Sequence, residues 1–572
     1  MSIRIKDLRF KLRYQLAKNK LLSSVYSFIK IKFIAYSSIN ALFNSNKSKL
    51  QRLVKLKKGG KNVLLATSMG SELVAWRLES ILSIALMQRD HNVEFAINDG
   101  ILPACQDCTY EKYKNDIESI KQNNKFIHKC KHSFIESSKA FQNIGINVNA
   151  FSSGINEDDL SKIEEIYNNT PVDQISGFKL NTIAIGEHAM AGALRFFAKA
   201  TLDDEPIAEI ILKSYFKAAL ITAFSFRNIL KKRKIDVVVL HHGIYVPQGI
   251  ICSVAKQMGV RVVAWNIAYR KNRFIFSHDD TYHHTLINEP ISKWDSINWS
   301  EEKNDRLLAY LQSRWFGDDD WINFNQENPN PKNIKVYDDL GLDKDKPCIA
   351  MLTNVLWDAQ LHYPANAFEN MLEWIYSTIN YFIEKSDIQL VIRVHPAEET
   401  GRIKSRQRVA NEIQKKFPNL PSNIKVIEPK DNISSYDVVK VSNCALIFGT
   451  KMGVELSASG KPVIVAGEAW IRGKGLTMDA STKIDYIEKL QQLPLKNQLS
   501  ENQKNKAKLY AFHFFFRRMI PTIAVKQKSG WPPYDIALTS IDELMPGKDQ
   551  GLDIICSGIT NGTDFIYDES DK

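Results

Sequence analysis

Short apolar runs recur along this chain, each ended by turn-forming residues and followed by a longer stretch of helical period. NVLLAT at 62–67 follows Gly59-Gly60 and leads through SMGSE into a periodic helix near 71–88. A second run, NVEFAIN at 92–98, closes on Asp99-Gly100. Strand, loop, helix and strand in that order open a Rossmann-like half. The apolar run 235–240 predicts a buried strand ending at His241-His242, with a helix near 247–258 and a strand at 261–266 behind it. These pieces predict a first parallel-sheet domain over residues 59–330.

Residues 323–333, NFNQENPNPKN, are polar with two prolines, the composition of an interdomain linker. The alternation then restarts. Strands are expected at 347–354, 388–394, 424–429, 444–449 and 462–467, with an amphipathic helix at 366–386. They predict a second Rossmann-like domain over 336–490. Helices at 491–540 are expected to cross back to the first domain, and 541–572, with eight acids against two lysines, to be a loosely ordered acidic tail. The fold class is α/β: two Rossmann-like domains facing a cleft, the plan of GT-B glycosyltransferases, preceded by a basic helical arm.

The charge changes the picture at one end only. Residues 1–60 hold 15 Lys/Arg and a single acid, Asp7, so that segment carries +14 of the net +12 and the rest sums to −2. The arm, 1–58, interleaves basic with aromatic and aliphatic residues, which suits either the anionic face of a membrane or packing on the protein's own body. With no basic stripe elsewhere, nucleic acid is not an expected partner. No uncharged apolar run of membrane-spanning length occurs, no secretory cleavage pattern follows the basic start, and the seven cysteines suit a reducing compartment; a cytoplasmic location is expected.

The densest chemistry lies in GTKMGVELSASGKPVIVAGEAWIRGKG, 449–475. Gly449 and Gly453 allow close backbone approach to a ligand. Thr450 and Lys451 stand where a helix start offers amides to a phosphate, and Glu455, one turn in, suits ribose hydroxyls. Glu468, Arg472 and Lys474 follow the next strand at its carboxyl end, where open α/β sheets bind ligands. RVHPAE places Arg393 and His395 at another strand end, where a guanidinium fork and an imidazole suit phosphate oxygens, and NISSYD adds Ser434 and Ser435, which suit a helix cap, a phosphate, or both. Such a site suits an anionic nucleotide.

In the first domain, HHGIYVPQG offers His241, His242 and Tyr245 for an acceptor, and the aromatic segment 264–284, which includes Arg270, suits stacking on sugars or an amphipathic surface loop. A base for deprotonating an acceptor hydroxyl is sought among Asp99, Glu187, His188 and His241, Asp99 having the simpler reading of a turn former. Cys105 and Cys108 in a CxxC, with Cys130, His128 and His132, have partial zinc spacing but lack a second CxxC, so ordinary thiols are the simpler reading and no metal is expected in the reaction.

RVHP, HHGIYVPQG, FSHDDTYHHT and the 449–475 block together resemble the capsule polysaccharide biosynthesis proteins, a GT-B-like group of bacterial surface-glycan enzymes, over residues 60–520. The resemblance implies a glycosyltransferase that moves a sugar from a nucleotide-sugar co-substrate to a capsule, O-antigen or related glycan at the inner membrane, with no further cofactor. His395, Ser434 and Ser435 also resemble the phosphate-holding elements of transferases that use CMP-activated acidic sugars. The paired carboxylates those enzymes carry before a glycine are here Asn98-Asp99-Gly100. In the mechanism expected, Arg472 and Lys474 take up the charge of the departing phosphate. Two alternatives remain: a polyol-phosphate transferase of the teichoic-acid type, and a non-catalytic glycan-binding or scaffold subunit.

Overall fold

The computed structural model describes residues 37–56, 59–124, 130–315, 317, 319–321, 335–359 and 364–568. Most of the basic arm and the whole expected linker 323–333 lie outside them. The described end of the arm is two short helices, α1 (Ser37–Ser45) and α2 (Lys47–Lys55), whose Ile39, Leu42, Phe43 and Leu50 are buried in the first domain's core. Packing on the protein's own body is therefore what this part of the arm does.

The first domain is built on β1 (Asn62–Ser68), α3 (Leu73–Gln88), β2 (Asn92–Ile97), β3 (Asn147–Ala150), α4 (Ile185–Phe197), α5 (Ala208–Lys232), β4 (Val237–His241), α6 (Gln248–Gln257), β5 (Arg261–Ile267) and β6 (Arg273–His278). The five strands β3-β2-β1-β4-β5 are parallel neighbours, and β6 joins antiparallel to β5. Every residue of β4 is buried, as a continuous apolar run between two helical layers requires. The segment 264–284 is thus largely a β5–β6 hairpin followed by helix α7 (Tyr282–Asn288), and only its connections are loop.

After α8 (Glu301–Ser313), the second domain follows with β7 (Cys348–Leu352), α9 (Met371–Ile383), β8 (Gln389–Arg393), β9 (Ile424–Ile427), α10 (Ser435–Val441), β10 (Cys444–Ile447), α11 (Met452–Ala458), β11 (Val463–Val465) and β12 (Met478–Asp479). Its sheet is parallel in the order β12-β11-β10-β7-β8-β9. Both sheets therefore reverse their strand order once, between β1 and β4 and between β7 and β10. Such a switch point opens a crevice at the carboxyl edge of an open sheet.

The chain then returns. Helix α12 (Glu501–Phe512) packs on α11, and β13 (Ile520–Pro521) adds an antiparallel strand to β6 of the first sheet. A hairpin of β14 (Val525–Gln527) and β15 (Tyr534–Ile536) and helix α13 (Gln550–Asn561) follow. This corrects the expectation of a loose acidic tail. Leu552, Ile555, Cys556, Ile559 and Phe565 are buried in the same core as Val63, Trp76 and Phe95. Arg77 shows why the return is needed: it is buried within α3, donates to the Tyr534 carbonyl, and lies 3.4 Å from Asp535. No helix among the described residues is long and apolar enough to cross a membrane.

Candidate functional site

A cavity of about 340 Å³ lies between the domains at both switch points. His242 reaches it from the end of β4, Asn266 and Tyr269 from the end of β5, Asp358 from beyond β7, and Lys451 from beyond β10. Tyr282, Trp321, Phe514 and Trp531 supply aromatic wall. A cavity with aromatic faces and a few convergent polar groups suits a sugar or a nucleotide.

Lys451 is the cationic side chain of that wall. Burial, helped by the nearby Arg314 charge, lowers its ammonium to about 8. Its Nζ lies 4.6 Å from the centre of the Tyr269 ring. Next to it in space, His395 follows β8. Burial first, then the Lys451 and Arg393 charges, lower its imidazole to about 3, so it is neutral. Its Nδ1 accepts the Ala397 amide at 3.0 Å, which puts the ring hydrogen on Nε2 as a donor. His242 is held at φ 71°, and burial followed by the His241 ring lowers its imidazole well below the usual range. Asn354 Nδ2 donates to the Gly449 carbonyl at 3.0 Å, fixing the loop that carries Lys451.

The remaining expected residues divide by what already holds them. Arg393 is buried and gives its guanidinium to backbone carbonyls: Val394 at 2.9 Å, Pro429 and Asp431 at 3.4 Å each, and Glu428. It shapes the loop after β9 and does not line the cavity. Ser434 caps α10 in a reciprocal box with Asp437, while Ser435 is its half-buried first residue. Glu455 faces Arg314 at 3.0 Å and accepts the Tyr436 hydroxyl at 2.7 Å, so its carboxylate belongs to an ion pair instead of a ribose. A Cβ at Gly453 would meet Ile447 at 2.7 Å and Ile471 at 2.8 Å, so this glycine serves helix–sheet contact; one at Gly449 would meet nothing closer than 3.7 Å.

Beyond β11, the charged loop ties the domains together. Lys474 Nζ donates to the Ile287 and Glu289 carbonyls at 2.8 and 2.7 Å. Glu468 accepts the Ala365 amide at 3.0 Å and lies 3.4 Å from His284, whose imidazole is raised to about 9 by hydrogen bonds to Asp280 and Glu468. Arg472 is buried, with Nη1 3.4 Å from the Gly467 carbonyl, and Thr450 is buried at the start of the same turn as Lys451.

In the first domain, Tyr245 hydrogen-bonds the Asp358 loop, and His241 lies behind His242, its Nε2 3.3 Å from Asn266 Oδ1. Arg270 stacks on Phe516 at 4.0 Å and Tyr310 at 5.0 Å. Of the expected bases, Asp99 has both oxygens on Ser152, His188 is buried with Nδ1 2.5 Å from the Ile244 carbonyl, and Glu187 is half-buried in the first turn of α4. None of the three lines the cavity. Cys105 Sγ lies 3.9 Å from both Cys108 and Cys130, and all three are buried free thiols. Burial pushes Cys108 up and contact with Cys105 pushes Cys130 up, which keeps them protonated. Among the described residues, no group of metal-ligating side chains is arranged to hold an ion; His128 lies outside them.

Asp358 was not legible as a site residue, although its position four residues past a predicted strand end is the signal that a search of strand ends would use. Trp531 and Phe514 come from the C-terminal return, whose path no local pattern reveals.

Residues 325–508 match the profile of capsule polysaccharide biosynthesis proteins. No curated protein sequence matches the chain. Among solved structures, the Thermosulfurimonas dismutans KpsC beta Kdo 2,4 transferase aligns with 54% of this chain and 87% of its own at 13% identity and a TM-score of 0.32. The beta Kdo 2,7 transferase of the same KpsC covers 56% and 88% at 14% and 0.31. The UDP-GlcNAc 2-epimerase of Neisseria meningitidis covers 78% and 95% at 12% and 0.23. The matched residues, 325–508, carry the second sheet and its side of the cleft.

Proposed function

We propose that this protein is a glycosyltransferase that moves a sugar from a nucleotide-sugar donor to a growing capsule or related surface glycan. The observation that carries the reading is the Lys451 ammonium in a cavity set at the switch points of two facing Rossmann-like sheets, the second of which lies in the stretch that matches the capsule-biosynthesis profile. The donor phosphate lies against Lys451 and the Nε2–H of His395. Both supply fixed positive potential or a fixed donor where negative charge grows as the phosphate leaves. Lys451 takes this role in preference to Lys474, whose ammonium is already spent on two carbonyls. Tyr269, Tyr282 and Trp531 offer ring faces to sugar. No metal is assigned to the phosphate in this scheme. Work on a surface glycan would place the protein at the cytoplasmic face of the membrane, with the basic arm against the lipid.

The test is a melting-temperature titration of the full chain with CMP, UDP, GDP and CDP, with and without Mg²⁺. A ligand that binds the folded state raises its melting temperature. One nucleotide stabilising the protein equally in both conditions supports the proposal and names the donor class. No shift with any nucleotide at millimolar concentration overturns it in favour of a scaffold role. Turnover of CDP-glycerol or CDP-ribitol in place of a nucleotide sugar would move the protein to polyol-phosphate transfer.

A further inference from the structure

We infer that Glu72 is the base that removes the proton from the acceptor hydroxyl, an inference that rests on the transferase reading above. Glu72 stands four residues past the end of β1, the other strand of the first sheet's switch point; β4, its partner there, supplies His242 to the cavity.

Glu72 faces the second domain. Its Oε2 lies 3.8 Å from Arg402, which also approaches Asp107 at 3.8 Å. The Arg402 guanidinium sits 4.9 Å from the centre of the Trp531 ring, and Trp531 lines the cavity. Trp531 and Arg402 thus lead from the cavity along the cleft to Glu72, which, like Asp99, Glu187 and His188, is not itself part of the lining. The side chain is 5% exposed, and its Oε1 has no hydrogen-bond partner among the described residues. Asp99 differs here, since Ser152 occupies both of its oxygens.

The surroundings repeat the pattern. Asn98 Nδ2 at the end of β2, Gln106 Oε1, His242 Nδ1 and both amide atoms of Gln248 at the start of α6 are buried without a partner among the described residues. Buried polar atoms are almost always paired in folded proteins, so several of them at one sheet edge fit a hydroxyl-rich ligand that pairs with them. Arg195 connects the group: it donates to the Gln106 carbonyl, and its charge acts on Glu72, His241 and His242. Burial raises the Glu72 carboxyl above its ordinary value, with Arg402 opposing, which moves a carboxylate toward the basicity that proton abstraction needs near neutral pH.

In the step, the acceptor oxygen bonds to the anomeric carbon. The bond from that carbon to the nucleotide's phosphate oxygen breaks, and its electron pair leaves with the phosphate. The hydroxyl proton passes to Glu72 Oε1 and goes to solvent after product release.

The experiment uses the full chain and the nucleotide sugar of whichever nucleotide raises its melting temperature, with transfer to water read as nucleotide release across pH 4.5–9. Glu72→Gln is expected to slow release at least a hundredfold, about the span attributed to a general base, while the nucleotide still stabilises the variant. Wild type should gain rate with pH through an ionisation above the ordinary carboxylate range, and Glu72→Asp should keep a pH-dependent rate. Arg402→Met, at a half-exposed position, should move that ionisation to higher pH. Glu72→Gln turning over within threefold of wild type with the same pH profile overturns the assignment of Glu72 alone. A misfolded Glu72→Gln leaves the Arg402→Met profile to decide, and an unmoved profile overturns the assignment. No nucleotide binding and no release by wild type overturns the transferase reading and this inference with it.

Discussion

The Tyr245 hydroxyl donates to Asp358 Oδ1 at 2.8 Å and accepts the Ala359 amide at 2.8 Å, so one residue of the first domain is bonded twice to the loop beyond β7 of the second. Tyr245 is buried, which makes the pair a fixed part of the cavity wall. Tyr245→Phe removes the donor from a cavity carboxylate and the acceptor from an amide. Leaving the half-buried Ala359 amide without this acceptor costs about 1–3 kcal/mol. The urea midpoint is expected to fall accordingly, and nucleotide affinity to fall with it, because Asp358 loses its orientation. Titration calorimetry on the variant checks the second point; an affinity equal to wild type would mean that Asp358 does not position donor or acceptor.

Lys451 gives a pH dependence of known sign. Its ammonium, lowered to about 8, is charged below that pH and lost above it. Anion binding should therefore be strongest on the acidic side of pH 8 and weaken as the pH rises through it, by up to about tenfold per unit once the amine dominates. His395, lowered to about 3, is neutral throughout, so it contributes no step of its own near pH 6.5. Lys451→Met should weaken nucleotide binding tenfold or more and flatten the profile. Calorimetry from pH 6 to 9.5 decides, and a variant that keeps the wild-type slope would exonerate Lys451.

The strands of both domains were legible because parallel sheets buried on two faces demand continuous apolar runs. The runs at 235–240 and 462–467 became β4 and β11 within a residue or two. Since strand ends locate the switch points, His242 and Lys451 were also within reach. The targets of individual cations were not. Arg393 and Lys451 both sit at strand ends, yet one is consumed by four carbonyls and the other lines the cavity. That outcome depends on how the loop after β9 folds back, which no spacing in RVHP encodes. The order of the tail was not legible for a different reason. Its charge balance hid the spacing of Leu552, Ile555, Cys556 and Ile559, which is the i, i+3, i+4, i+7 stripe of a buried helix.

That stripe makes a truncation informative. Stopping the chain at residue 540 removes α13 and uncovers the core around Val63 and Trp76. It also takes Asp553 from Arg89 and Asp549 from Thr522, whose hydroxyl donates to it at 2.6 Å. The truncated protein should be insoluble or bind a hydrophobic dye strongly, whereas a loose tail would be dispensable. A soluble, cooperatively unfolding product would show that the first domain's core is complete without α13.

Glu79 links the same core to pH. It is fully buried in α3, accepting the Trp265 indole N–H at 3.0 Å and the Thr67 hydroxyl. Burial raises its carboxyl to about 8 from 4.5. Between those values the folded protein holds a proton that the unfolded chain has released. The stabilisation this gives is complete below 4.5, is lost progressively as pH rises, and is gone above 8, where both states are ionised and the fold must hold a buried charge. Glu79→Gln keeps the shape and cannot ionise; its amide can donate toward Thr67 while its oxygen accepts from Trp265. The variant should therefore unfold at a higher urea concentration than wild type at pH 8.5, with the gap closing toward pH 5. Differencing the two proteins cancels every other titrating group. Equal midpoints at both pH values would show that Glu79 is ionised in the native state, with Thr67 and Trp265 sufficient to hold its charge.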